Sequence, residues 1–227
     1  TVDAEVDTAG KTFTYQRTFT CDTDKGTKEN TATITETGQT DKATVVINCY
    51  ALTVTKTADE FKNRKYLWDI TKSVTPETWN LFTGESGTSD YTVDLDQTGY
   101  TDNEWQVKGS ITITNPHPDR AAELTQVLDN AGGITANVSC PSLDVPKNGG
   151  TLICTYDSGT QNSPDVNPFG STNTATATQQ LYTFDKLGVG SKDSTKDYQG
   201  TQTINFGEAT VTAVDEEVEV DDTYLGS

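Results

Sequence analysis

The sequence predicts an all-β fold of the β-sandwich class, and three observations predict it. Apolar residues recur at every second position in many short segments, the signature of half-buried strands. Turn vocabulary such as "GESGTSD", "NPHPD", "NAGG", "KNGG" and "NSPDVNPFGS" stands between those segments. Threonine, which is β-branched and suits a pleated, partly exposed surface, makes up roughly a fifth of the 227 residues. Strands this short and this closely spaced point to sandwiches.

The strand candidates run in order along the chain. "KTFTYQRTFTC" (11–21), "NTATITET" (30–37), "ATVVINCY" (43–50), "ALTVTKTA" (51–58) and "KYLWDITKSV" (65–74) come first. "SDYTVDLDQ" (89–97), "QVKGSITITN" (106–115), "AELTQVLDN" (122–130) and "ITANVSC" (134–140) follow. "GTLICTYD" (150–157), "NTATATQQLYTF" (173–184), "TQTINFGEATVTAV" (201–214) and an alternating tail, "EVEV" at 217–220, complete the series. "TPETWNLF" (75–82) has room for one helical turn and no more. Polar stretches alternate with Val, Ile, Tyr and Trp instead of running unbroken, which argues against disorder.

Sixteen Lys and Arg stand against 34 Asp and Glu, a formal charge of −18. Such a surface repels nucleic acid and anionic lipid, so neither nucleic-acid binding nor membrane insertion is expected. The chain begins at Thr1 and has no apolar run long enough for a signal peptide or a membrane span, so it reads as a mature or excised segment. Four cysteines fall as two separated pairs, Cys21 with Cys49 and Cys140 with Cys154. There is no C-x-x-C, and a single His cannot complete a Cys/His zinc site. The even count predicts two disulfides and an oxidising, extracellular or cell-surface setting. Closing the Cys140–Cys154 loop contributes about 3 kcal/mol in the chain-entropy picture.

An internal repeat divides the chain. "FTYQRTFTCDTDKGTKENTATIT" (13–35) lines up with "GTLICTYDSGTQNSPDVNPFGSTNTATAT" (150–178). Each reads strand, cysteine, polar turn, then Asn-Thr-Ala-Thr on a new strand. The second copy has opening strands upstream of it, whereas the first has ten residues. The predicted organisation is therefore an incomplete N-terminal β domain (1–50), a central sandwich (51–200) and C-terminal strands (201–227). Residues 109–178, with "SITITNPHPD", "VLDN", "SCPSLDVPKNGGTLICTY" and "NTATAT", resemble the Ig-like surface repeats of bacterial and archaeal secreted proteins. The resemblance covers about 70 residues and implies Ig-like sandwiches and a surface location. It supplies no catalytic residues, and fold does not give function. Residues 51–106 resemble the segment preceding that repeat in large secreted bacterial proteins. In those proteins an "E-x-V-x-V-x-D-T-Y-x-G-S" segment runs directly into "T-F-T-Y-x-R-T"; here the two pieces sit at opposite ends, Glu217–Ser227 and Thr12–Thr18.

One complete and one split sandwich follow from that arrangement, with residues from roughly 208 to 227 of one unit completing the head of the next by strand addition. The expected donor anchors are Val211, Val214, Val218, Val220, Tyr224 and Leu225; the acceptor residues are Phe13, Tyr15, Phe19, Ile34, Val45 and Ile47. At about 1.5–3 kcal/mol for each fully buried side chain, six anchors supply on the order of 10 kcal/mol before association costs. A head-to-tail contact that does not close makes a filament, so the predicted partner is another copy of the chain. Separate subunits and one polypeptide repeating the unit fit equally. A hairpin between 201–214 and 216–222 is the intramolecular alternative.

No enzyme, cofactor or metal site is expected. "DLDQTG" (94–99) opens like a calcium loop, but Trp105 stands where the closing Glu belongs, so Asp94 and Asp96 read as one solvated strand face. His117, between two prolines, reads as a turn residue. Asn137-Val138-Ser139 is one N-glycosylation sequon. Trp68, Trp79, Trp105, Tyr66, Tyr91 and Tyr100 cluster within 66–105, which makes a secreted carbohydrate-binding or adhesin module the alternative function; Trp68 itself is expected in the core. A Lys–Asn amide cross-link needs both residues beside an acid inside a core, and Lys56 with Asn173 is the pair the sequence offers, with no motif that compels it.

Overall fold

The computed structural model describes residues 10–222, and the chain divides into two compact units, Thr1–Ala51 and Leu52–Ser227. In the first, residues 10–20 have no ladder partner. They lead into a helical turn, α1 (Cys21–Asp24), and an antiparallel hairpin of β1 (Gly26–Thr33) and β2 (Thr40–Ile47). The strand expected over 11–21 is thus not made. Its end is drawn into α1, where the Asp24 carboxylate accepts the Thr20 N–H at 3.1 Å and pairs with Arg17 at 2.9 Å. A short acidic side chain offers nearby N–H groups an alternative to a strand ladder. The Cys21–Cys49 disulfide ties this turn to the end of β2.

The second unit is an all-β sandwich. Its strands are β3 (Thr53–Lys56), β4 (Asp59–Thr75), β5 (Asp90–Asn115), β6 (Ala122–Ala131), β7 (Ile134–Ser139) and β8 (Asp144–Val145), then β9 (Gly150–Asp157), β10 (Thr172–Phe184), β11 (Gly190–Thr203) and β12 (Thr210–Val214). The pairing order is β11-β10-β6-β7-β9-β5-β4-β12, with β3 on β5 and β8 on β6. β7 links the two layers, its first half pairing with β6 and its second with β9. The Cys140–Cys154 disulfide joins the residue after β7 to β9.

The core is built by period-two alternation. Trp105, Val107, Ile111 and Ile113 on β5 and Leu152, Cys154 and Tyr156 on β9 meet Leu124, Val127 and Ala131 on β6 and Ala175 and Ala177 on β10. A register shift opposite Thr178 and Gln179 lets both Leu124 and Val127 point inward despite their odd spacing. Phe206, on a 3₁₀ turn (Phe206–Glu208), stacks edge-on against Trp105 at 5.1 Å and seals one end.

Three details depart from expectation. β5 runs through as one strand where the sequence suggests two, because residues 98–106 keep pairing with β4 on either side of its irregularities. "GSKDSTKDYQG" forms most of β11 without an alternating apolar pattern, since an edge strand on the outer side of β10 has little to bury. No helical turn forms at 75–82.

Candidate functional site

Within the first unit, Asp24 is the only buried side chain among the described residues. Phe13, Tyr15, Ile34 and Val45 are exposed, while Phe19 and Ile47 are half-buried. Val45 and Ala43 share a hairpin face with their partners Lys28 and Asn30. This face lines an open cleft of about 240 Å³ together with Tyr15, Arg17 and Phe19. Asn30 donates to the Tyr15 hydroxyl across it. Of the six expected acceptor residues, Tyr15, Phe19 and Val45 line this cleft, Ile47 lies on the same hairpin face as Val45, and Ile34 lies in the β1–β2 turn; Phe13 is not brought to it. The repeat comparison locates what the hairpin lacks. β1 and β2 correspond to β10 and β11, but β10 also pairs with β6, whereas the other edge of β1 has no ladder partner among the described residues.

The second unit offers a matching deficiency. Beyond about residue 65, β4 and β5 leave the sandwich and continue as a two-stranded ribbon. On one face, Tyr66, Trp68, Ile70 and Val74 stand opposite Tyr100, Gln97, Leu95 and Tyr91, with Lys72 opposite Val93. The other face carries Asp69, Thr71 and Ser73 opposite Asp96, Asp94 and Thr92. The ribbon is amphipathic, yet Trp68 is 37% and Ile70 56% exposed. The expectation that Trp68 fills a core is corrected here, because its strand has left the opposing layer behind. Trp105, on the sandwich end of β5, takes that role instead. Asp94 and Asp96 lie on the solvated face.

The strand expected over 201–214 is divided between the end of β11, the 3₁₀ turn and β12, and the alternating tail at 217–220 forms no strand. β12 pairs in parallel with Phe61–Lys65 of β4, at the end of the sheet path. Beyond it, the Trp68 indole donates to the Asp215 carbonyl at 2.8 Å, and Lys72 holds Asp222 at 2.8 Å. The contact is with β4 and not the hairpin with 201–214 that the sequence also allows. Val211, Val214, Val218 and Val220 remain 36–46% exposed. Tyr224 and Leu225 lie outside the described residues.

Two polar clusters lie apart from the expected assembly residues, and of their members only Lys56 and Asn173 were named from the sequence. Asp102 marks where ribbon meets sandwich: it accepts Lys62 Nζ at 2.7 Å and both Arg64 Nε and a terminal Arg64 nitrogen, at 2.8 and 3.0 Å. The Arg64 hydrogen bonds hold its carboxyl below the usual carboxylate range, and Arg64 is raised in turn. Its backbone exchanges hydrogen bonds with Asp165, pinning the 158–171 loop.

The second cluster is inside the core. Lys56 on β3 ion-pairs with Asp129 on β6, and both side chains are fully buried. Lys56 Nζ sits 4.2 Å from the centre of the Tyr156 ring. The Tyr156 hydroxyl donates to Thr57 O at 2.7 Å and accepts from Asn173 Nδ2 at 2.8 Å. Asn173, also fully buried, lies two positions along β10 from the residue that pairs with Asp129. Asp129 Oδ1 and Asn173 Oδ1 have no hydrogen-bond partner. Two orphaned buried acceptors ordinarily cost about 1–3 kcal/mol each. Each of the three residues breaks an apolar alternation: Leu52-Val54-Lys56, Val127-Asp129-Ala131 and Asn173-Ala175-Ala177. That pattern was the readable signal for Asp129.

His117 organises the "NPHPDR" turn, its Nδ1 accepting the Asp119 and Arg120 amides. Asn137 is exposed on β7. No helix among the described residues is long and apolar enough to cross a membrane. The two disulfides fit an oxidising environment. No family model matches this chain, nor does any curated protein or solved structure match it.

Proposed function

We propose that this protein is a structural subunit of an extracellular or cell-surface filament, assembled head to tail by β-strand complementation between copies. One observation carries the reading: the first unit is a two-stranded hairpin with no buried apolar side chain among its described residues. Such a hairpin is marginal in water on its own, even with a disulfide. The ribbon and the β12 edge of another copy offer what it lacks, an apolar sheet face and unpaired backbone groups. The donor stretch stays anchored through β12, and its exposed valines and outer edge receive the next head. Left uncovered, both surfaces are aggregation liabilities.

Sedimentation and negative-stain microscopy of the purified full chain over a range of concentrations test this. Smooth filaments or head-to-tail oligomers are expected, lost in Ile70→Asp while the sandwich still folds. Discrete monomers at high concentration overturn the reading.

A secreted carbohydrate-binding or adhesin module is the second reading. It is favoured by Trp79 and Phe82, 47% and 83% exposed in the loop joining β4 to β5. A single saturable glycan on an array, lost in Trp79→Ala, would select it.

A further inference from the structure

We propose that the buried cluster forms an intramolecular amide bond between Lys56 Nζ and Asn173 Cγ, made by the protein itself with Asp129 as proton carrier. Three reactive groups meet where water is excluded. Lys56 on β3 brings an amine paired with the Asp129 carboxyl on β6, and Asn173 on β10 brings a carboxamide held by the same Tyr156 whose ring lies beside the amine. Their positions follow from the ladders: β3 belongs to the β5 layer, and β6 and β10 are neighbours in the other, so the bond would staple the two layers together.

The chemistry requires a neutral amine and a carboxylic acid. Burial lowers the Lys56 ammonium and raises the Asp129 carboxyl, in each case as the largest effect and against the hydrogen bond between them. Desolvation thus favours transfer of the proton from Nζ to the carboxylate. The two orphaned oxygens fit that state. A proton on Asp129 turns one acceptor into a donor, and the Asn173 carbonyl oxygen is the unpaired acceptor of the neighbouring side chain. The Tyr156 hydroxyl fixes the amide, because its own proton is committed to Thr57 O and its oxygen can only accept from Nδ2.

The step balances without any co-reactant. The Nζ lone pair attacks Cγ while the Asp129 acid hydrogen-bonds to the carbonyl oxygen, polarising it as negative charge develops there. Asp129 then carries one amine proton to Nδ2. The C–Nδ2 bond breaks, and ammonia leaves as the secondary amide forms. Nothing is oxidised or reduced. Asp129 is the less suitable electrophile, since it is the one carboxyl in this cluster and using it would remove the proton carrier. The inference stands whether or not the chain forms filaments.

Intact-mass spectrometry of the purified full chain decides it. The expected mass is lower than that of the disulfide-bonded sequence by one molecule of ammonia per chain. Digestion should give one branched peptide joining Lys56 to Asn173, with no tryptic cleavage after Lys56. The full disulfide-bonded mass overturns the proposal, as does loss of one water with the branch at Asp129. In Asp129→Ala the full mass should return; a branch that persists there overturns the role given to Asp129. If that variant does not fold, the measurement on the unaltered chain still decides the bond.

Discussion

The two ends of the β4–β5 pair carry nearly the same alternation and meet opposite fates. At the sandwich end, Val107, Ile111 and Ile113 on β5 are wholly buried because β6 and β10 lie across from them. At the ribbon end, Trp68, Ile70, Val93 and Leu95 alternate as regularly, but no second layer among the unit's described residues covers them, and all but the half-buried Leu95 are exposed. A strand's pattern states which face is apolar; only a second layer makes that face a core. The first unit repeats the lesson, since its β1 and β2 match β10 and β11 in sequence order yet have, among the described residues, no counterpart of the neighbour that β6 provides.

The sharpest test of this contrast compares Ile111→Ala with Ile70→Ala. Removing a fully buried isoleucine side chain should cost about 2–5 kcal/mol of the second unit's stability in denaturant unfolding. If Ile111→Ala proves as mild as an exposed substitution, the sandwich end is not the core described here. Next in size is Asp102→Asn at the junction, expected to cost about 2 kcal/mol through lost charge-assisted hydrogen bonds to Lys62 and Arg64. Its carboxyl is lowered on folding. Its contribution is therefore complete above the free value of about 3.9 and is lost as pH falls through the lower folded value. The acid limb of unfolding should be shallower in Asp102→Asn than in the parent.

A smaller effect on the whole chain is expected from Cys21→Ser with Cys49→Ser. Amides of the first unit should lose their remaining protection from hydrogen exchange, while the second unit's melting temperature stays put. A large fall in that temperature would show the two units to be energetically one. Smallest is Ile70→Ala in the dilute monomer, expected within about 0.5 kcal/mol of the parent. A larger loss there would mean that the ribbon face is already covered.

Much of the fold was legible. The strands from 106 to 184, both disulfides and the sandwich class follow from alternation, turn residues and cysteine spacing, all local properties. The strand expected over 11–21 was lost to Asp24, whose hydrogen bonds to Thr20 and Arg17 compete at short range with a ladder that had no partner to form. β11 was illegible because an edge strand buries little and so carries no apolar rhythm. Among site residues, Lys56 and Asn173 were named as a Lys–Asn pair that no motif compelled. Asp129 was marked only by its place in the Val127-Asp129-Ala131 alternation, and nothing in one dimension said that the three would meet.

By itself the sequence determined where most strands of the sandwich form, which side of each is apolar, which cysteines pair and that the surface is strongly acidic. The strands and their apolar sides depend on neighbours one or two positions away, and the pairing and the charge on counts along the chain. The tertiary structure alone decided which apolar faces find cover, so that Trp105 is core and Trp68 is surface, and that an amine, a carboxyl and a carboxamide from three distant strands share one dry pocket. The cover and the encounter are supplied by residues far along the chain, and period-two alternation holds no record of them.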